Sequence, residues 1–232
     1  TLATSEHRLA AQSNALTAPT ERSAEGTERF DDRLNEILRM AADTLQVERL
    51  SLWRLNDTHE DIRCVSLFSR TSGRYDSGAR IERESCPPYF DALETERVIA
   101  ADDAQRDRRT RCFTESYLIP NGIGAMLDVP LRQNRGTLGV LCAEHVGPAR
   151  TWALDEQNFA LSVANLIAVA VTDEELRNAL ARLEESEARA NIIVDTAHDA
   201  FIGMDASSTI VAWNAQAEKT FGWTREEAIG RN

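Results

Sequence analysis

The sequence lacks a hydrophobic run long enough to cross a membrane. Its longest apolar stretch, residues 159–171, is interrupted by Ser162 and Asn165 and falls short of the roughly 20 residues that a spanning helix needs. A secretory signal pattern is also missing from the N-terminal residues. We therefore expect a cytoplasmic location and no membrane contact in this segment.

Basic residues are scarce relative to acidic ones. The chain has 26 Lys and Arg against 38 Asp and Glu, which gives a formal net charge of -12 at pH 7. Such a charge repels phosphate backbones and anionic lipid headgroups. Nucleic acid is therefore not expected as a partner, and the charge is most simply explained as a solubility feature.

Cysteine is sparse and irregularly spaced, with only four residues in the chain: Cys64, Cys86, Cys112 and Cys142. Without a secretory signal, this usage is typical of free thiols in a reducing compartment. The sequence therefore predicts no disulfide at any of these positions.

One segment carries three kinds of zinc ligand within four positions. Cys142, Glu144 and His145 supply a thiolate, a carboxylate and an imidazole. Residues 137–146 are rich in apolar and β-branched side chains between two turn signals, which predicts a strand. On a strand, Cys142 and Glu144 point to one face and His145 to the other, so we expect no metal site here.

The apolar pattern predicts a mixed α+β architecture. Residues 30–45 have the spacing of an amphipathic helix, preceded by Thr27, and residues 49–69 and 124–146 each read as a β-hairpin. Residues 71–111 mix glycine, proline and charged residues, which predicts a long functional loop. Within it we expect a short helix at 89–96 and a strand at 97–102. This order indicates an antiparallel sheet with the terminal helices on one face.

A long helical pattern follows, from about residue 155 to 195. Within it, nine seam positions are spaced alternately three and four residues apart. They are Leu166, Val169, Asp173, Leu176, Leu180, Leu183, Glu187, Ala190 and Val194. This heptad spacing predicts a parallel coiled coil, and hence a homodimer, with two acidic residues in its seam. The alternative is a helix that packs back onto its own domain.

The C-terminal residues predict a second, smaller set of elements. Strands are expected at 200–205 and 209–213, joined by a turn, followed by a helix capped by Asn214. Thr224 and Glu227 have the spacing of a capping box for another short helix.

These motifs resemble two known domain families. The first strand, "ERLSLWRL", and the long segment "FTESYLIPNGIGAMLDVPLRQNRGTLGVLCAEHVGPARTWALDEQNFALSVANLIAVAV" resemble a GAF domain, which would span residues 24–172. Residues 196–232 resemble the N-terminal part of a PAS domain. Between them, residues 173–195 would form a coiled-coil signalling helix, and residues 1–23 the tail of an upstream helix.

The resemblance implies the sensory or regulatory input region of a bacterial signal-transduction protein. The parent would be of the sensor histidine kinase or cyclic-dinucleotide enzyme type, with its catalytic domain outside this chain. Within the chain we find no nucleophile with its base, no phosphate loop and no metal cluster, so we do not expect an enzyme. The alternative is a ligand-free GAF module that only dimerises or spaces other domains.

The resemblance to phytochrome-like GAF domains also implies a set of ligand-binding residues on the sheet face opposite the terminal helices. They are Trp53, Phe113, Tyr117, Met126, Asp128, Cys142 and Glu144. Strand parity agrees, since 126 and 128 share a face, as do 142 and 144. In the alternative, the apolar members fill a core and Asp128 caps a loop through backbone N–H groups.

The identity of any cofactor stays open at this point. Covalent bilin is not supported, because Cys112 lies one residue away from the chromophore position of the phytochrome-like pattern, which Phe113 occupies. Haem is not supported, because the candidate axial ligand His145 would face away from the pocket. The signature of the cyclic-nucleotide-binding subgroup is missing.

Overall fold

The computed structural model describes residues 29–133 and 136–232. The predicted upstream helix tail at 1–23 and Thr27 lie outside these residues. The chain divides into two compact units, one ending at Thr172 and the other comprising Asp173–Asn232.

The first unit is built on an antiparallel sheet of seven strands. Its spatial order is β3-β2-β1-β7-β6-β5, with β4 also paired to β2. The strands are β1 Arg49–Leu55, β2 Asp61–Ser69, β3 Arg74–Asp76, β4 Arg80–Glu82, β5 Ile99–Ala101, β6 Ile123–Gln133 and β7 Gly136–Val146. Both predicted hairpins, β1–β2 and β6–β7, are confirmed.

One face of this sheet, which we call the helix face, is covered by the terminal helices, as the sequence predicts. Helix α1 spans Phe30–Leu45, and helix α3 spans Leu154–Thr196. The apolar stripe of α1 and the N-terminal part of α3 pack on alternate residues of the strands. The core residues that the sheet contributes include Leu50, Leu52, Leu127, Val129, Leu141 and Ala143.

The opposite face, which we call the pocket face, is covered by irregular structure and one short helix. Helix α2 spans Pro87–Thr95 and begins two residues earlier than predicted, because proline is well suited to the first helical turn. A 3-10 turn, Arg111–Phe113, leads into a single π turn, Thr114–Leu118. Together these segments form the cap of the pocket face.

The expectation of four free thiols is wrong for two of the cysteines. Cys86 and Cys112 form a disulfide, with a Cα–Cα distance of 5.5 Å, whereas Cys64 and Cys142 are free and buried. Because 26 residues separate the bonded pair, only the packing of the cap on the sheet brings these two cysteines together.

The second unit contains the C-terminal part of α3 and the elements that the sequence predicts after it. Strands β8, Ile202–Met204, and β9, Ile210–Trp213, form a hairpin. Helices α4, Ala215–Phe221, and α5, Arg225–Ala228, follow. The capping box of Thr224 and Glu227 is confirmed.

Asn214 organises this second unit. Its side-chain oxygen accepts hydrogen bonds from the backbone N–H groups of Phe201 and Ala217, and the latter bond caps α4 as predicted. Its amide nitrogen donates to the carbonyl oxygens of Val194 and Asp199. One buried side chain therefore links the end of α3, β8 and the start of α4.

None of the helices within residues 29–133 and 136–232 is long and apolar enough to span a membrane.

Candidate functional site

The residues predicted for the site converge on the pocket face. Six of the seven line a single cavity: Trp53, Phe113, Tyr117, Met126, Cys142 and Glu144. Asp128, the seventh, is fully buried beside this cavity and contacts two of the side chains around it. Three further residues complete the lining: Ile62, Ile81 and Tyr89.

Strand register explains why these side chains meet. Met126 pairs with Glu144, and Asp128 pairs with Cys142, across β6 and β7. Residues directly opposite each other on adjacent antiparallel strands point to the same face. His145 alternates with Glu144 along β7, so it points to the opposite face, and it is only partly buried. The predicted separation of Cys142 and Glu144 from His145 is therefore confirmed.

Glu144 lies at the centre of a buried ion-pair network, the glutamate cluster, which comprises Glu144, Arg49 and Tyr117. The Nε of Arg49 donates to Glu144 Oε2 at 2.6 Å, and the hydroxyl of Tyr117 donates to Glu144 Oε1 at 2.6 Å. Arg49 also donates to the Tyr117 oxygen and to Asn121 Oδ1. Every strong donor in this cluster therefore has an acceptor.

The charges of the glutamate cluster follow from burial and pairing. Burial raises the pKa of Glu144, and the adjacent Arg49 and Tyr117 oppose that rise. Burial and the neighbouring carboxylate raise the pKa of Tyr117 strongly, so its hydroxyl stays protonated and keeps donating. Arg49 and Glu144 form a buried salt bridge, in which loss of one partner leaves the other charge buried and unpaired.

A second network, the aspartate cluster, comprises Asp128, Tyr89 and Cys142. The hydroxyl of Tyr89 donates to Asp128 Oδ2 at 2.8 Å and lies 3.6 Å from the Cys142 sulfur. The other carboxyl oxygen, Oδ1, is buried and makes no hydrogen bond within the described part of the chain. Burial raises the pKa of Asp128 to about 8, and the Tyr89 hydrogen bond opposes that rise.

Asp128 does not cap a loop, so that part of the alternative interpretation is wrong. The residue lies inside β6, where backbone N–H groups are engaged by the neighbouring strands, and a hydroxyl from α2 reaches its side chain instead. The sequence could not show this contact, since 39 residues separate Asp128 from Tyr89.

The cavity between these side chains is small. Its volume is about 10 Å³, which is close to the minimum for one water molecule. Small-molecule sites usually enclose roughly 300–1,000 Å³. A ligand larger than water therefore requires the cap to move.

Family models match both parts of the chain. The GAF domain model matches residues 29–171, and the PAS fold model matches residues 189–232. The chain belongs to the GAF domain family. GAF and PAS domains are regulatory modules without catalytic activity of their own and are typical of sensory and signalling proteins.

Among curated proteins, the chain is similar to an uncharacterized protein of Azorhizobium caulinodans. The two are 27% identical over 212 residues, which cover 84% of this chain and 27% of that protein. The chain therefore spans about a quarter of that relative's length.

Solved GAF domains share the fold of the first unit. The phycocyanobilin-bound GAF domain of a cyanobacterial phytochrome has 17% identity and a TM-score of 0.60, and the match covers 72% of this chain and 96% of that one. The GAF domain of a Coxiella burnetii phosphoenolpyruvate-protein phosphotransferase has 16% identity and a TM-score of 0.58, covering 72% and 96%. Identities this low show the fold alone.

Sequence reasoning missed three polar residues of the GAF pocket face. Arg49 could have been found, because it alternates with Ser51 and Trp53 on β1 and so shares their face. Tyr89 and Asn121 lie outside the sheet, on α2 and in the loop after the π turn, where strand parity gives no information.

The pocket face offers few groups to hold a metal or cofactor. Within the described residues, no three His, Cys, Asp or Glu side chains are placed to bind one metal ion. The Cys112 sulfur is bonded to Cys86, and Phe113 is buried in the cavity wall. The buried carboxyl groups beside the cavity are those of Asp128 and Glu144, set within apolar and aromatic walls.

Proposed function

We propose that this chain is the sensory input region of a bacterial signalling protein, in which the GAF pocket face detects a small ligand. The observation that carries the proposal is the unsatisfied Asp128 Oδ1, buried beside a cavity with aromatic walls. An unpaired buried polar atom costs about 1–3 kcal/mol, so a ligand that pairs with it gains differential binding energy. The fold supports such a role, since a phytochrome GAF domain of the same fold holds phycocyanobilin.

The chemistry of the site favours a compact molecule with an aromatic or apolar body and a hydrogen-bond donor. Trp53, Phe113 and Met126 provide flat and adaptable apolar surface. Asp128 provides an unpaired carboxyl oxygen, which a cationic amine would hold in its ionised, accepting form, and Glu144 is already satisfied by Arg49 and Tyr117. A primary amine attached to an aromatic ring meets both requirements.

The class of ligand is tested with phenethylamine as the probe and 3-phenylpropionate as its matched control. We expect phenethylamine to raise the melting temperature of the chain and 3-phenylpropionate, which lacks the donor, to leave it unchanged. The shift should fall in Asp128→Ala and Tyr117→Ala and persist in His145→Ala, which is on the opposite face. Equal losses in all three variants would mean that the amine binds elsewhere.

A second candidate function is a GAF module that dimerises or spaces other domains without sensing. The cavity of about 10 Å³ favours it, because well-packed side chains already fill most of the space. This candidate predicts no thermal shift with either probe and none with material co-purified from a bacterial host.

The signal would leave the GAF domain through residues 173–195 as a dimeric helix. Three seam leucines are more than half exposed in the single chain: Leu176 at 59%, Leu180 at 52% and Leu183 at 56%. Apolar side chains at heptad spacing favour burial against a second copy. We propose that this helix dimerises and relays the GAF state to the PAS segment and to an output domain of the kinase or cyclic-dinucleotide type.

Glu187→Leu tests the seam. In a parallel dimer Glu187 faces its own copy, so the leucine should tighten dimerisation at least about tenfold, or about 1.4 kcal/mol. Analytical ultracentrifugation across a dilution series measures this, and Glu185→Leu, an equal loss of charge outside the seam, is the control. Equal effects of the two variants would show that the predicted register is wrong.

A further inference from the structure

The Cys86–Cys112 disulfide differs from the other two cysteines in its accessibility. Cys86 is fully buried and precedes the first turn of α2, whereas Cys112 is exposed on the 3-10 turn. A thiol from solution can therefore reach one sulfur of the bond and not the other.

The disulfide ties together the two parts of the cap. Tyr89 lies three residues after Cys86, and Phe113 directly follows Cys112. The rings of Tyr89 and Phe113 meet edge to face, with centroids 5.1 Å apart, and both side chains line the cavity. The covalent bond thus holds in register the two aromatic walls that close the pocket face.

The surroundings of the bond favour thiolate chemistry. Residues 102–111, just before Cys112, contain four arginines, Arg106, Arg108, Arg109 and Arg111, and three aspartates, Asp102, Asp103 and Asp107. Arg109 is held by Asp107 and Glu96, whereas Arg108 and Arg111 are at the surface. Cys86 is buried, but it is the N-cap of α2, and the helix N-terminus together with nearby positive charge favours its thiolate and opposes the effect of burial.

The two free cysteines contrast with this pair. Burial raises the pKa of Cys64 to about 11 and raises that of Cys142 well above its usual value. Both thiols are buried in the pocket-face core. They stay protonated and inaccessible, which leaves the disulfide as the reactive sulfur site among the cysteines.

We propose that Cys86–Cys112 is a reversible modification site that exchanges with low-molecular-weight monothiols, and that its redox state sets how firmly the cap closes the cavity. The exchange itself does not depend on the ligand proposed above. Its effect on ligand entry rests on that proposed function.

The exchange proceeds in two balanced steps. A monothiolate attacks the exposed Cys112 sulfur, forms a mixed disulfide with it and releases Cys86 as a thiolate at the start of α2. A second monothiolate attacks the sulfur of the first monothiol in the mixed disulfide and releases Cys112. The protein disulfide is reduced by two electrons, the two monothiols are oxidised to their disulfide, and their two protons pass to the cysteines.

Glutathione is the probe for the exchange. The full chain is equilibrated in reduced and oxidised glutathione at varied ratios, quenched with acid, alkylated and examined by mass spectrometry. We expect Cys86 and Cys112 to become alkylated together as the ratio rises, while Cys64 and Cys142 react only after denaturation. Alkylation of Cys86 and Cys112 throughout, even in oxidised glutathione, would overturn the proposal, as would a bond that resists reduced glutathione in the folded protein.

Two single variants test which sulfur is attacked. Cys86→Ser should retain glutathione on Cys112 after treatment with oxidised glutathione, and Cys112→Ser should retain none on buried Cys86 while folded. Because Cys86→Ser changes a buried residue, Cys64→Ser provides a matched control for folding. Glutathione on Cys86 in folded Cys112→Ser would contradict the assigned order of attack.

Hydrogen exchange separates the redox site from its effect on the cap. Reduction should speed amide exchange in residues 87–95 and 111–118 by about tenfold or more and leave β6 and β7 unchanged. In both reduced and oxidised glutathione, Cys112→Ser should show the faster amide exchange that is expected of the reduced wild-type protein. If glutathione exchange occurs and cap exchange does not change, the coupling to the cavity is refuted, whatever the outcome of the phenethylamine test.

Discussion

The two faces of the GAF sheet are built from the same strands and both bury an apolar core, but the pocket face also buries the carboxyl groups of Asp128 and Glu144. On the helix face, alternate residues of the strands are apolar and pack on α1 and α3, with Leu127 and Leu141 among them. On the pocket face, their immediate neighbours Asp128 and Cys142 belong to a buried polar cluster. A shift of one residue along a strand thus separates purely apolar packing from a buried carboxyl cluster beside the candidate binding site.

This difference has an energetic consequence. Apolar burial on the helix face contributes roughly 25 cal/mol per Å² and does not depend on pH. Buried carboxyl groups are stabilised only by their partners and by their protonation state. We therefore expect apolar packing on both faces to determine the stability of the domain, and the carboxyl groups of the pocket face to make that stability depend on pH and ligand.

Removing the counter-charge on the pocket face should have the largest effect. Arg49→Met leaves Glu144 buried without its ion pair, and breaking such a pair costs about 3–5 kcal/mol of unfolding free energy. In the variant the pKa of Glu144 in the folded state rises further above its unfolded value. The loss should therefore grow as the pH rises from 5 to 8.

Urea denaturation at several pH values measures this effect, with two controls. Arg49→Met combined with Glu144→Gln should recover part of the stability, because it removes the stranded charge. Leu127→Ala, on the helix face, should cost about 2–5 kcal/mol at every pH in the range. If the stability loss in Arg49→Met is as independent of pH as the loss in Leu127→Ala, the proposed difference between the two faces is wrong.

Asp128→Asn should have an intermediate effect that appears only as a change in pH dependence. The pKa of Asp128 is about 8 in the folded chain, against an ordinary value of 3.8. Between these pH values the folded state holds one more proton than the unfolded state. The wild-type unfolding free energy should therefore fall as pH rises, by about 1.4 kcal/mol per unit from this group.

The amide introduced by Asp128→Asn does not titrate, so the variant should gain about 2 to 3 kcal/mol relative to wild type between pH 5 and pH 7. Chemical denaturation of both proteins in matched buffers gives the two slopes. Parallel slopes would show that Asp128 ionises normally and that its burial does not control its charge.

His145→Ala should have the smallest effect, within about 0.5 kcal/mol. The side chain has the parity of the helix face and is only partly buried, and burial and the proximity of Arg150 lower the pKa of its imidazole. Thermal denaturation at pH 5.5 and 7.5 measures it. A loss as large as that of a pocket-face variant would place His145 in the site.

Much of the fold could be predicted from the sequence because its signals are local. Apolar spacing located α1 and the long α3, and turn residues bounded the β1–β2 and β6–β7 hairpins. Asn214 and the Thr224–Glu227 box marked helix starts, because capping uses side chains within three residues of the cap.

The candidate site could be predicted only where it lies on strands. Because side chains alternate between the two faces along a strand, the sequence placed Met126 and Glu144 on one face and His145 on the other. The partners of the buried carboxyl groups were not predicted. Tyr89 reaches Asp128 from α2, and Arg49 pairs with Glu144 across 95 positions of the chain.

The sequence by itself determined the terminal helices of the GAF domain, its two hairpins, the order of these elements, the family and the face on which each hairpin residue lies. The short strands β3 and β4 and the 3-10 and π turns of the cap were not predicted. Only the tertiary structure decided which side chains meet across that face, that Cys86 and Cys112 are bonded, and that the cavity is nearly closed. The physical reason is range. Periodicity, capping and turns act between residues a few positions apart, whereas ion pairs, disulfides and cavities depend on distances that exist only once the cap has packed on the sheet.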